Sequence, residues 1–204
     1  MIAAALAGLL AGYGIAIPVG AVGAYLVALS ARAPRRVGTA AALGVATVDG
    51  GYALLAVLGG GALVPLVEPM AAPLRWVSAA VLVLLAARIS ITAVRAGAAD
   101  GNRPVRLTPA RAYAGLVAMT AINPTTVVYF AAIVLGNQAD LVDTTPQRLL
   151  FVTAAALASA SWQLLLSTAG ALLGRALTGR RGRLATAFAS SAIIVLLAVH
   201  TALR

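Results

Sequence analysis

One acidic side chain lies deep inside a long apolar stretch of this sequence. Asp49 is the only charged residue between positions 38 and 66, and it stands beside Gly50 and Gly51. A carboxylate in apolar surroundings is costly unless it is paired or faces water, so acids at such positions generally serve an ion, a proton or a substrate. We therefore predict that Asp49 binds the amino group of a substrate, exchanges a proton, or does both.

A polar group interrupts another apolar stretch, between residues 112 and 135. Asn123 precedes Pro124 there, and Thr125 follows it. Proline removes a backbone donor from a helix, and the polar side chains beside it are suited to line a cavity. The alternative is that Pro124 only kinks a packed helix and that its polar neighbours hydrogen-bond the freed carbonyl group.

The first 31 residues contain no charged side chain and are too long for one straight membrane helix. As a helix they would measure about 46 Å, whereas the hydrocarbon core of a bilayer is about 30 Å thick. Pro18 and Gly20 lie within this stretch, and both residue types weaken a helix. They predict a break that meets the one at Pro124 and binds a polar substrate through its free backbone groups. The alternative is that Pro18, like Pro124, only kinks a packed helix.

Three further side chains are secondary candidates for the same site. Arg88, inside an apolar stretch, either pairs with Asp49 or extends to the membrane surface. Gln163 either contacts a neutral polar group of a substrate or hydrogen-bonds another helix. Tyr129 follows the Asn-Pro pair closely enough to contact a substrate bound there.

The composition excludes several classes of protein. The 204 residues are 62% hydrophobic and 10% charged, whereas a soluble domain is about 25% charged. One histidine, five acids and no cysteine leave little material for catalysis, thiol chemistry or a transition-metal site. We therefore expect an integral membrane protein that is not an enzyme, holds no metal and needs no cofactor.

Charged and turn residues divide the chain into six apolar segments, each long enough to cross a bilayer. The fold class predicted is an all-α membrane protein with six transmembrane helices, two of them broken at Pro18 and Pro124. We expect the whole chain, residues 1–204, to form a single membrane domain. The segments are residues 1–31, 38–66, 74–95, 112–135, 148–174 and 184–203.

Most of the arginines lie in three alternate loops between these segments. Cytoplasmic loops of membrane proteins carry an excess of basic residues, so these three loops face the cytoplasm and both termini face outward. The loops are too short to present a nucleic-acid reading element, and we expect membrane lipid around the protein instead. The loop arginines are Arg32, Arg35, Arg36, Arg95, Arg103, Arg106, Arg111, Arg175, Arg180, Arg181 and Arg183.

Six segments also divide into two sets of three. An odd number of spans in each half makes two copies face opposite ways, as in the inverted repeats of many secondary transporters. Residues 1–96 form the first predicted repeat, residues 97–111 a cytoplasmic linker and residues 112–204 the second repeat. Pro18 and Pro124 then occupy equivalent positions in the first helix of each half.

Three short motifs, in this order and in a chain of this length, carry a resemblance to a known family. They are Ala16-Ile-Pro-Val-Gly20, Gly44-Val-Ala-Thr-Val-Asp49-Gly and Ile122-Asn-Pro124. Together they resemble the LysE/RhtB family of amino-acid exporters. The resemblance implies a six-span exporter in the inner (cytoplasmic) membrane that is driven by an ion gradient. It also assigns Pro18 and Gly20 to the first helix break, Asp49 to the acid of the second span, and Asn123 with Pro124 to the second break.

Two departures from the family's pattern bear on the substrate. Members similar to the lysine and arginine exporters continue the first motif with a Gln-Asn pair, where this chain has Ala21-Val22-Gly23. Those members also carry an acid after the Asn-Pro pair, where this chain has Val128, Tyr129 and Phe130. With fewer carboxylates to offset a dication, the expected substrate is a neutral rather than a dibasic amino acid.

Two other functions stay open at this point. A non-transporting accessory or assembly protein would use Asp49 only as a structural partner. An ion or metal exporter would need several oxygen ligands around the cation, and the apolar segments supply one acid. The sequence also leaves open whether the chain acts alone or as a homo-oligomer.

Overall fold

The computed structural model describes residues 1–17, 20–59, 107–123 and 144–176 without interruption. It also describes Thr126 and scattered residues between 73 and 91 and between 184 and 199. All regular secondary structure in these parts is helical, as the sequence predicts. The helices are α1 (Ile2–Ala16), α2 (Ala21–Ser30), α3 (Arg35–Gly59), α4 (Pro109–Ala121) and α5 (Thr145–Ala176).

Two of the described helices are long and apolar enough to cross a membrane, namely α3 and the part of α5 from Thr145 to Gly174. The pair α1 and α2 adds a third span if it is counted as one broken helix. The described residues in the predicted third and sixth spans are helical, but no continuous helix is described there. The count of six spans and the inverted repeat therefore stay predictions.

The predicted break in the first span is confirmed. Helix α1 ends at Ala16 and α2 begins at Ala21, with an angle of 77° between the two helices. Gly20 precedes α2 in an extended conformation, with φ −81° and ψ −171°, and no side chain caps the first amide groups of that helix. Pro18 itself lies outside the described residues.

The next helices begin where the sequence supplies suitable caps. Helix α3 starts directly after Pro34, three residues before the apolar segment itself begins. The Thr108 hydroxyl accepts a hydrogen bond of 3.3 Å from the Arg111 amide, and Pro109 occupies the first turn of α4, where a missing donor costs nothing. At the start of α5, the Gln147 side chain accepts a hydrogen bond of 3.0 Å from the Thr144 amide, as in a capping box.

Glycines of α1 bring that helix into backbone contact with the first half of α5. A Cβ atom at Gly8 would clash with the carbonyl oxygen of Phe151, and one at Gly12 with that of Ala155. Residue numbers rise together along both helices, so α1 and α5 run parallel. Small residues at this spacing allow close packing between membrane helices.

The second half of α5 contacts α2 in the reciprocal way. Here the glycines belong to α5: a Cβ atom at Gly170 would lie 2.5 Å from the carbonyl oxygen of Val27, and one at Gly174 would clash with that of Ala31. This contact is also parallel. Both halves of the broken first span therefore pack against one continuous helix.

Helix α3 lies between α5 and α4. A Cβ atom at Gly38 would lie 2.7 Å from the Ser167 hydroxyl, and Gly50 lies opposite Ala156, so α3 and α5 run antiparallel. The core between α1, α3 and α5 consists mainly of alanines around Phe151. Many leucines on the outer faces are exposed, as expected for side chains that contact lipid.

Candidate functional site

Asp49 lies near the middle of α3 and is 3% exposed. The hydroxyl group of Ser159, on α5, donates a hydrogen bond of 2.6 Å to its Oδ2 atom. Ser159 is fully buried. The neighbouring Gly50 allows the close approach, because a Cβ atom there would lie 3.0 Å from the Cβ atom of Ala156. The acid is thus held at the contact between two antiparallel membrane helices.

The residue that binds Asp49 belongs to a buried polar line on α5. Ser159, Gln163 and Ser167 follow one another at intervals of four residues, so they share one face of the helix. They are 0%, 5% and 6% exposed, respectively. Ser167 accepts a hydrogen bond of 3.0 Å from the Ser30 hydroxyl at the end of α2. The two serines at the ends of this polar line therefore have helix-to-helix partners.

The middle residue of the polar line differs from its neighbours. The Oε1 atom of Gln163 is buried and has no hydrogen-bond partner within the described part of the chain. A buried polar atom without a partner costs about 1–3 kcal/mol. Buried polar atoms in native proteins are mostly bonded to protein groups or to ordered water, so this oxygen is able to accept a bond from a further donor.

The break in the first span lies beside this residue. Along α5, the contacts of α1 extend to Ser161, whose hydroxyl lies 2.9 Å from the Tyr13 hydroxyl. Ser30, the last residue of α2, bonds Ser167. Along α5, Gln163 lies between Ser161 and Ser167. An added Cβ atom at Gly20, which precedes α2, would meet none of the described residues within 4 Å.

The described end of α4 approaches the same region from the other side of α3. The Tyr52 hydroxyl donates a hydrogen bond of 2.7 Å to the carbonyl oxygen of Ala121, the last residue of α4. Beyond it, the backbone N–H group of Asn123 donates a hydrogen bond of 3.1 Å to the carbonyl oxygen of Thr120. This bond tightens the end of the helix before Pro124. Thr120 is 2% exposed, and within the described residues its hydroxyl has no partner.

The start of α2 and the end of α4 share one apolar cluster. Ala21, the first residue of α2, and Met119, in the last turn of α4, belong to the same group of buried side chains. Thus the start of α2 and the end of α4 converge, and α3 carries Asp49 towards α5 and Tyr52 towards α4.

The structure places four of the predicted site residues. Ser159 bonds Asp49 and lies one helical turn from Gln163 on α5. Gly20 lies at the uncapped start of α2, and Asn123 lies in the turn that ends α4. The residues outside the described part of the chain are Pro18, Pro124, Thr125, Arg88 and Tyr129. A pair between Asp49 and Arg88 therefore stays a prediction.

The polar residues of the fifth span differ in whether they bond another helix. Ser159 and Ser161 make helix-to-helix hydrogen bonds, with Asp49 and Tyr13 respectively. Gln163 makes no such bond through Oε1 in the described part of the chain.

Sequence reasoning missed Ser159 as the partner of Asp49, and it missed Thr120 and the Ser30–Ser167 pair. The regular spacing of Ser159, Gln163 and Ser167 was the available signal, because three polar residues on one face of an apolar helix indicate a shared polar contact. Among the described residues, no three His, Cys, Asp or Glu side chains lie close enough together to hold a metal ion.

Comparison with known proteins gives one match. The family model described as LysE type translocator matches residues 14–204, which is most of the chain. No curated protein and no solved structure matches the chain.

Proposed function

Because the chain belongs to the LysE type translocator family, we propose that it is a secondary exporter of amino acids or related small metabolites. The family is one of membrane transporters. Our proposal adds that export is driven by an ion gradient and that the substrate is more often a neutral than a dibasic amino acid. It also places the protein in the cytoplasmic membrane with both termini outside.

One observation carries the proposal: a buried acid bonds α5 close to the end of α1, where the first membrane span is broken. Asp49 bonds Ser159, two residues before Ser161, which pairs with Tyr13 in the last turn of α1. Broken helices at mid-membrane are typical of substrate sites in secondary transporters, because they expose backbone groups away from water. A purely structural helix contact does not require a break close to it.

In the proposed binding mode, the substrate ammonium group contacts Asp49. The substrate carboxylate contacts the uncapped amides at Gly20 and at the start of α2, where the helix dipole favours an anion. The second break, formed by Asn123, Pro124 and Thr125, closes the site from the fourth span. Pro18, Arg88 and Tyr129 are the remaining candidates for contact with substrate or with Asp49.

A proton is the proposed coupling ion. A proton that arrives from outside binds Asp49, removes its negative charge and releases the substrate ammonium group. The acid then loses the proton on the cytoplasmic side before it binds the next substrate. Ser159 supports both states, because its hydroxyl can donate a hydrogen bond to a carboxylate or accept one from a protonated acid.

The helix contacts support two inverted halves that rock about this site. Helices α3 and α5, the second helices of the two proposed halves, contact each other antiparallel near Asp49. Each also packs parallel to a helix from the first span of the other half: α5 against α1 and α2, and α3 against α4. These are the contacts that a two-fold axis in the membrane plane would generate.

The test measures efflux of radiolabelled neutral amino acids from proteoliposomes, with and without a proton gradient. We expect the wild type to respond to the gradient and Asp49→Asn to fold but to lose gradient-driven flux. Asp49→Asn keeps the size of the side chain and removes its charge. Ser161→Ala is the matched control, because it removes a hydroxyl group two residues from Ser159 that does not contact Asp49.

The accessory-protein alternative predicts a different result. Asp49 is buried and bonded to Ser159, as a structural role of this acid requires. In that case, Asp49→Asn would lower the yield of folded protein and no amino acid would move in the wild type. A wild-type flux that ignores the proton gradient would remove the proposed coupling role of Asp49.

A further inference from the structure

The polar line on α5 has three members, and only the middle one has an unpartnered atom in the part of the chain that the structure describes. Ser159 donates to Asp49, and Ser167 accepts from Ser30. The Oε1 atom of Gln163 has no donor there, although the side chain is 5% exposed. Buried acceptors in native proteins nearly always have a partner, so a donor belongs at this position in some state of the protein.

Gln163 also lies beside the place where a ligand can reach it. Tyr13, in the last turn of α1, pairs with Ser161, and Ser30, the last residue of α2, bonds Ser167. Gln163 lies between these two residues of α5, and an added Cβ atom at Gly20 would meet none of the described residues within 4 Å.

We propose that Gln163 forms a second subsite, in which its Oε1 atom accepts a hydrogen bond from a neutral N–H or O–H donor on the substrate side chain. This inference rests on the proposed function, since it assumes that the substrate ammonium group is held at Asp49. It narrows the substrate to amino acids whose side chains end in an uncharged donor.

The spacing of the two subsites sets the length of that substrate. Gln163 is one turn of α5 away from Ser159, which corresponds to a rise of about 6 Å. The side-chain donor must therefore lie several bonds away from the ammonium group. An amide at the end of a two-carbon side chain, as in glutamine, meets this requirement.

The absence of charge at position 163 sets the type of donor. A second ammonium group would be moved into an apolar site with no carboxylate opposite it among the residues of the polar line, and an unpaired buried cation is far more costly than an amide. An amide N–H group needs only a neutral acceptor. The subsite thus favours a side-chain amide over a side-chain amine of similar length.

The experiment compares glutamine with methionine, which has a similar length and no terminal donor. Export of each is measured in proteoliposomes containing wild type, Gln163→Leu or Ser167→Ala. Loss of one hydrogen bond of about 1 kcal/mol corresponds to a roughly fivefold change in an equilibrium constant. We expect Gln163→Leu to raise KM for glutamine about fivefold and to leave KM for methionine within twofold. Ser167→Ala, the control on the same helix face, leaves the ratio of the two KM values unchanged.

A second variant keeps the test decisive if Gln163→Leu does not fold. Gln163→Glu retains an acceptor of the same size and adds a charge, so we expect it to gain export of ornithine, whose side chain ends in an amine. An unchanged ratio for Gln163→Leu, an equal slowing of both substrates, or no gain of ornithine export by Gln163→Glu would overturn the subsite. Export of methionine but not of glutamine by the wild type would also overturn the subsite, whereas failure of the wild type to export any neutral amino acid or related metabolite would overturn the proposed function.

Discussion

Helix α5 contacts the first span in two different ways along its length. At both ends of the contact, glycines let a backbone carbonyl group approach the facing helix directly, as at Gly12 and Gly174. In the middle, the contact is replaced by polar side chains, one of which bonds Asp49 and one of which has an unpartnered atom within the described residues. The glycine contacts at the two ends fix the position of the broken span, and the polar side chains between them are available for hydrogen bonds.

The largest effect is expected from filling one of the glycine contacts. In Gly12→Ala the new Cβ atom meets the carbonyl oxygen of Ala155, so the helices must separate. Overpacking of this kind costs typically about 1–3 kcal/mol, and we expect about 3 kcal/mol here because the obstacle is backbone. The free energy of unfolding in detergent, measured by tryptophan fluorescence, reports the change.

The matched control for this substitution is Gly115→Ala on α4. A Cβ atom at Gly115 meets none of the described residues within 4 Å, and alanine favours a helix by up to about 1 kcal/mol over glycine. We expect no loss of stability there. Equal losses in both variants would mean that the glycines serve helix flexibility and not close contact.

The second effect concerns the polar middle. Ser159→Ala removes the donor to Oδ2 of Asp49 and leaves that buried acceptor without its bond. The expected loss of unfolding free energy is about 1–3 kcal/mol. Ser159→Ala should lower gradient-driven efflux by more than the loss of folded protein explains. Gly12→Ala should lower efflux only in proportion to the loss of folded protein. A Ser159→Ala protein with normal efflux would show that Asp49 does not depend on this partner.

A smaller effect is expected at the end of α4. Tyr52→Phe removes the hydrogen bond to the carbonyl group of Ala121, and we expect a loss of about 1 kcal/mol. Tyr113→Phe is the control, because the Tyr113 hydroxyl bonds the more exposed Thr47 side chain. If the two variants unfold alike in thermal denaturation, the bond from Tyr52 does not hold the end of α4.

The smallest effect is expected from Ser167, the last residue of the polar line. Ser167→Ala removes the bond with Ser30, and hydrogen bonds between membrane helices average about 0.6 kcal/mol. The neighbouring Thr168 bonds only the carbonyl group of Leu164 in its own helix in the described structure, so Thr168→Ala is the control. Denaturant titration of both variants would show whether the Ser30 pair contributes more than a local bond; a loss above 2 kcal/mol would contradict this ranking.

The features predictable from the sequence are those that depend on one segment. The apolar segment around Asp49 is long enough to predict a membrane helix. The uncharged segment that contains Gly20 is too long for one straight membrane helix, so it predicts a break. Each of these predictions needs no knowledge of a partner helix.

The partner of Asp49 depends on how two distant segments are rotated against each other. Ser159 stands 110 positions further along the chain, and several polar residues of the fifth span could have faced the acid equally well. The rotation of α5 is fixed by contacts such as Gly8 with Phe151 and Gly170 with Val27, which involve backbone atoms and leave no trace in the polar pattern. For the same reason, the pairing of Tyr52 with the end of α4 could not be predicted.

The core between α1, α3 and α5 is built mainly of alanines, among them Ala7, Ala11, Ala53 and Ala155. Alanine has no side-chain torsion that changes its shape, so this interface cannot adapt to a displacement by switching rotamers. Small adjustments are therefore blocked, and the helices can only stay in register or move to a different, equally complementary arrangement. Any alternation between inward and outward states must be a discrete step at this interface, with few intermediate positions available to the helices.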